Sequence, residues 1–172
     1  GLAAIDDEGK MQGAYTAHEG ILCMLLTGNN RRTRFTTQLD IEGGHREISL
    51  FVKEAIPKIR TSIEEDKARI AVSLTLDVDI IDIEMPLKAM ENQVMEKIGQ
   101  ALALDIQGNM LDMLSKGQSW GTDTFGLGQF VRIQHPHWFN NKEWSDEFRE
   151  SHITLEVKVN VRRIGNLTNP QY

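Results

Sequence analysis

The stretch Ile70-Ala71-Val72-Ser73-Leu74-Thr75-Leu76-Asp77-Val78-Asp79-Ile80 decides the fold class. Every second residue is aliphatic, and those between are small, hydroxylated or acidic. Successive side chains of a strand point to opposite faces, so this pattern sets one apolar face on a core and one polar face in water. A strand wetted on one side belongs to an antiparallel sheet more readily than to a parallel one buried on both faces. At Ile80-Ile81 the apolar phase moves to Ile81, Ile83 and Met85, and a one-residue slip of this kind predicts a bulge or a strand end. A second strand follows from Ile153, Leu155, Val157, Val159 and Val161 alternating with Thr154, Glu156, Lys158, Asn160 and Arg162.

Between these strands the period changes. Pro86 opens a helix, and Leu87, Met90, Val94, Ile98, Leu102, Ile106, Met110 and Met113 recur every three or four residues. That is one apolar stripe along roughly seven turns, with Gly117 closing the helix. Its methionines suit either a core or an adaptable binding groove, and a stripe is assigned first to the core.

Upstream, residues 1–5 and 10–15 read as two short strands joined by the turn Asp6-Asp7-Glu8-Gly9. Residues 18–27 form a short helix buried on most sides, with Gly28 at its C-terminal cap. Residues 36–42 and 47–52 flank Gly43-Gly44 as a second hairpin or a bulged pair. Together these elements predict an α+β fold, a largely antiparallel sheet with a long amphipathic helix and shorter helices packed on it, in a single domain over 1–172.

The chain of 172 residues is 40% hydrophobic and 26% charged, the balance of a globular protein with a core of its own. Its net charge of −6 argues against nucleic acid as a partner. The one dense basic run, Arg31-Arg32-Thr33-Arg34, reads as a solvated loop before it reads as a phosphate or headgroup contact. Cys23 lies in the apolar run Gly20 to Leu26 and is read as a small buried hydrophobe. No stretch approaches the length of a membrane span, and the initial Gly1 suggests a domain excised from a longer chain.

The residue types that carry chemistry do not converge in the sequence. His135, His137 and His152 lie near one another, but Pro136 breaks a helical ligand pair and no zinc spacing is present. Asp77, Asp79, Asp82 and Glu84 read as the charged face and end of a strand. No nucleophile elbow, phosphate loop or dinucleotide fingerprint occurs, so no catalytic residue, metal or cofactor is assigned. Gly126-Leu127-Gly128 lacks the rest of a phosphate cradle and reads as a close backbone approach before a helix. Residues 123–148 hold Phe125, Phe130, Trp138, Phe139, Trp144 and Phe148, six of the chain's eleven aromatic residues, which predicts a local cluster locking a helix and loop to the body.

This segment resembles a known family. Asp123-Thr124-Phe125-Gly126-Leu127-Gly128, then Pro136, Trp138, Trp144 and Phe148, then the strand Val157 to Gly165, is similar to the C-terminal domain of Ger(x)C spore germination proteins. The family pattern there is Asp-Ile-Phe-Gly-Phe-Gly-Glu, a Pro and Trp pair, a second Trp and Phe, and a charged strand. The opening Gly1-Leu2-Ala3-Ala4, Lys10, Gly13 and Leu25-Leu26-Thr27-Gly28 match in the same order. Gln129 stands where the family has Glu, and Ala17-His18-Glu19 where it commonly has Glu-Thr-Arg.

The resemblance implies a lipoprotein subunit of a nutrient germinant receptor, on the outer face of the bacterial spore inner membrane. It implies integral-membrane A and B subunits as partners and an anchor on a cysteine upstream of this chain, for which a diacylglycerol lipid is physically suited. The domain is then expected to be a non-catalytic interaction module. The alternative is a germinant-binding domain that uses the aromatic cluster at Trp138 and Trp144 as a pocket. The signature residues Asp123, Phe125, Gly126, Gly128, Pro136, Trp138, Trp144 and Phe148 are candidates for structure or for partner contact.

Overall fold

A computed structural model describes residues 1–6, 8–28, 33–41, 44–83 and 92–165. In chain order the elements are strand β1 (Leu2–Ile5), β2 (Met11–Tyr15), helix α1 (Ala17–Leu26), β3 (Thr33–Ile41), β4 (Gly44–Glu64), β5 (Lys67–Ile83), α2 (Asn92–Trp120), α3 (Leu127–Gln134), α4 (Pro136–Phe139), α5 (Trp144–Glu150) and β6 (His152–Ile164). β1 and β2 form an antiparallel hairpin, and the main sheet runs β3-β4-β5-β6. β3, β4 and β5 pair antiparallel, whereas β6 lies parallel to β5, from Arg69 opposite His152 to Ile80 opposite Ile164. The α+β architecture with a largely antiparallel sheet is therefore present. The one parallel pairing follows from α2 to α5 carrying the chain back across the sheet between β5 and β6.

The alternation in β5 does what its chemistry requires. Ala68, Ile70, Val72, Leu74, Leu76, Val78 and Ile80 are buried, and the intervening residues face away from the core. The expected bulge is found. Ser49 pairs with Asp82 and Leu50 with Ile80, so Ile81 is the extra residue and Ile83 returns to the core. Against this face lies α2, with Ile98, Leu102, Ile106, Met110 and Met113 buried. Met110 and Met113 are core, not groove. Gly99 lets the helix approach β6, since a Cβ there would stand 3.0 Å from the Val159 carbonyl oxygen.

Three expectations change. α2 does not stop at Gly117: it continues to Trp120 and ends before Gly121, whose φ of +68° suits glycine. Gly117 serves a different purpose, because a Cβ there would meet the Phe125 ring and the Tyr15 hydroxyl, each at 2.9 Å. The proposed helix start at Pro86, with Leu87 and Met90, lies outside the described residues, as do Gly43, Glu84, Arg31 and Arg32. Thr33 and Arg34 of the basic run belong to β3 rather than to a loop.

β4 is far longer than residues 47–52. It continues past a bulge at Lys53 to Glu64 and pairs with β5 down to Lys67. Beyond the end of β3 this half of β4 is an edge, and Pro57 sits there, where its missing N–H costs no ladder bond. The β4–β5 turn holds Glu65 at φ 51° and Asp66 at φ 61°, two left-handed residues that are not glycine. Two-residue hairpin turns of this kind favour Asn and Gly. Glu65→Asn is therefore expected to raise stability by about 0.5–1 kcal/mol, read from the denaturation midpoint, since among the described residues Glu65 makes no hydrogen bond or ion pair and gives up only a solvent-screened attraction to Lys67.

Candidate functional site

The signature segment folds into a knot at the end of α2. After Gly121 the chain turns through Thr122 to Thr124, and the Asp123 carboxylate caps the start of α3. Oδ1 accepts the backbone N–H of Leu127 at 3.0 Å, and Oδ2 accepts those of Gly128 at 2.6 Å and the Trp144 indole Nε1–H at 3.0 Å. A carboxylate accepting two backbone N–H groups at a helix start is a charge-assisted cap. Gly126 has φ +70°, which aims the chain back under that carboxylate. Gly128 lies against the indole: a Cβ there would stand 2.4 Å from Trp144 Nε1. The close backbone approach expected for Gly126-Leu127-Gly128 is thus an approach to a tryptophan, with no phosphate involved.

Aromatic packing completes the knot on two sides. Trp144 stacks between Phe139 and Phe148 with ring centres 5.4 and 5.8 Å away. Phe148 is fully buried, and Gln118 of α2 donates to the carbonyls of Phe148 and Ser151, closing the end of α5. On the other side Phe125 is buried against Tyr15 of β2, which in turn meets Trp120 edge-on at 5.1 Å. Burial pushes the Tyr15 hydroxyl up to about 12. Tyr15 and Trp120 belong to the cluster although neither was assigned to it from sequence. Phe130 was assigned to it, but is 39% exposed and meets no other ring among the described residues.

Pro136 and Trp138 are elsewhere. Pro136 starts α4, and Trp138 reaches the tip of the β4–β5 hairpin, donating Nε1–H to Asp66 Oδ1 at 2.8 Å. Lys142 reaches the other oxygen of Asp66 at 2.6 Å while lying 5.4 Å from the Trp138 ring centre. Trp144 and Phe139, without Trp138, help to line a hollow of about 400 Å³ with Ile5, Gln129, Arg132 and Ser145, under the β1–β2 hairpin. The bonds from Lys142 and Trp138 hold the Asp66 carboxyl below the usual carboxylate range. A lowered folded pKa gives stability that is present above the unfolded value, near 4, and lost as pH falls through the folded one. The hairpin-tip clamp is expected to open only below about pH 4, seen as a change in Trp138 emission that Asp66→Asn removes.

The remaining candidates are distributed across the fold. His135 bonds the Thr61 carbonyl through Nε2 at 3.1 Å, and His152 stands on the solvated side of β6. Among the described residues no three His, Cys, Asp or Glu side chains converge on a point. Cys23 is buried in α1, and burial raises its thiol to about 11. Asp77 is held by Asn160 and Arg162, and Asp79 pairs with Lys53 at 2.9 Å, so these strand carboxylates tie the sheet together. At α1, Thr16 and Glu19 form a reciprocal capping box. Burial disfavours the Glu19 charge, but its bonds from Lys116 and Thr16 outweigh this and keep the carboxyl low. Glu19 therefore has a structural role in this chain.

No described helix is long and apolar enough to cross a membrane. None of the curated proteins matches the chain. Among solved structures, one described as "Crystal Structure of the GerBC protein" superposes with a TM-score of 0.78 at 19% identity, covering 93% of this chain and 49% of that one. At that identity the likeness establishes the fold, and the chain spans about half the length of that protein. A model of the family "Spore germination B3/GerAC like, C-terminal" matches residues 1–165, the whole knot and every strand included. The chain belongs to this spore germination family.

Proposed function

We propose that this domain is a non-catalytic interaction module of a germinant receptor C subunit, supporting assembly with the A and B membrane subunits and so nutrient-triggered germination. The observation that carries this reading is how the signature residues are used. The Asp123 carboxylate is committed to three donors within the domain, and Phe125 and Phe148 are buried. A signature spent on holding a shape fits a module whose partners meet its surface. In the full protein an upstream lipid anchor would hold it at the outer face of the spore inner membrane.

The test is recovery of A and B subunits with the full lipoprotein and with this domain deleted, alongside germination of the corresponding spores. Loss of both with the deletion is expected; unchanged assembly and germination would sink the reading. A second reading, direct binding of a small germinant, draws on the hollow of about 400 Å³ beside Trp144, a volume within the range of ligand sites. A saturable change in tryptophan emission on titration with amino acids or sugars would favour it.

A further inference from the structure

The sheet has three edges not covered by a neighbouring strand, and two of them are closed by side chains. On the far half of β4, Pro57 lacks a donor, and α3 plugs the ladder where Gln134 accepts the Thr61 N–H at 3.1 Å and His135 meets the Thr61 carbonyl. On β6, Gln107 of α2 accepts the Val157 N–H at 3.2 Å, and Gly99 brings the helix against the Val159 carbonyl. Such devices protect an edge from pairing with another chain.

Among the described residues none of these devices covers β3 from Arg34 to Asp40. It pairs with β4 over nine consecutive residues without a bulge and contains no proline. The orientation of its outer edge follows from the ladder. Thr61 shows that core-facing residues of β4 send their N–H groups away from β5, toward the β3 side. Phe35, Thr37 and Leu39, opposite Leu50, Ile48 and Arg46, therefore spend their backbone groups on β4. The N–H and C=O groups of Arg34, Thr36, Gln38 and Asp40 point outward, and all four residues are exposed. Among the described residues nothing bonds those groups.

The sequence of this edge is complementary to itself. In an antiparallel pairing of two copies centred on Thr37, Arg34 faces Asp40 of the second copy, Thr36 faces Gln38, and Phe35 faces Leu39. Both charged pairs are then of opposite sign, by symmetry, and the edge-directed residues fall in the hydrogen-bonded positions. We infer that the chain self-associates through β3 about a two-fold axis at Thr37, joining two four-stranded sheets into one of eight. Among the described residues of the free chain Asp40 meets only the exposed His45, and Arg34 lies 5.7 Å from the Phe51 ring centre, so both charges are available at the edge.

Sedimentation equilibrium of the purified chain tests this, independently of the receptor reading. A monomer–dimer equilibrium is expected, weakened about tenfold by Arg34→Asp or by Asp40→Arg, since each sets like charges opposite one another at two places. The double exchange Arg34→Asp with Asp40→Arg restores the facing pairs and is expected to restore association. Thr36→Pro removes an edge N–H that the monomer does not use, and should give a folded monomer. A chain monomeric at all concentrations overturns the inference. So does a dimer that tolerates Thr36→Pro and both single exchanges, or one that the double exchange fails to restore.

Discussion

Gly128→Ala is expected to destabilise the domain by about 3 kcal/mol, a fall in Tm of roughly 6–12 °C for a chain of this size. The added methyl would stand 2.4 Å from Trp144 Nε1 and 2.5 Å from Cε2, distances that no side-chain adjustment at residue 128 relieves. The indole cannot retreat freely. It is packed between Phe139 and Phe148 and held by the Asp123 carboxylate. Moving the ring breaks that bond, and moving the backbone breaks the cap of α3, so the single methyl is felt across the whole knot. Thermal unfolding followed by far-UV dichroism measures the effect. A change below about 1 kcal/mol, the size of an ordinary helix substitution, would contradict the packing described here.

Asp123→Ala should cost a similar amount, about 3 kcal/mol, for a different reason. Removing the carboxylate leaves the N–H groups of Leu127 and Gly128 and the indole N–H of Trp144 without their shared acceptor. Leaving a buried donor unsatisfied costs more than the bond itself contributes, because water no longer reaches it. Asp123→Asn keeps one acceptor oxygen but turns an amide donor toward the other N–H groups, and should fall between wild type and alanine. Denaturant unfolding of the three proteins gives the order wild type, Asn, Ala. Because both substitutions strike the same knot, Gly128→Ala combined with Asp123→Ala should be much less costly than the sum.

What could be read from the sequence was what periodicity records. The alternation of Ile70 to Ile80 placed β5 and its core face, and the slip at Ile80-Ile81 located the bulge within a residue. The stripe from Ile98 to Met113 located α2 and its buried side. The far half of β4 was missed because Pro57 argues against a strand in any local reading, and only the sheet order shows that it stands on an edge. The helix end was misplaced at Gly117 because a glycine near the end of a stripe looks like a cap, while its cause is the approach of Tyr15 and Phe125 from distant parts of the chain.

The candidate site was legible in the same uneven way. Asp123, Phe125, Gly126, Gly128, Trp144 and Phe148 were singled out together, and the fold brings them together. Trp138 was grouped with Trp144 because both lie in the aromatic-rich segment 123–148, yet it is recruited by Asp66, seventy-two residues away in sequence. Tyr15 and Trp120 carry no local signal of their part in the cluster. Pairwise contacts between elements remote in sequence leave no period behind, which is why the Asp123 cap could be named as a signature but not as a hydrogen-bond acceptor.

The central proposal is that this folded domain supports assembly with the receptor's A and B subunits. Its most direct test is the amount of A and B subunit recovered with the full-length protein, wild type and Asp123→Ala, at temperatures below and above the variant's melting transition. Recovery that falls with the folded fraction of the domain, while wild type still retains its partners, is the result predicted. Full recovery of both subunits with the domain unfolded would contradict the claim.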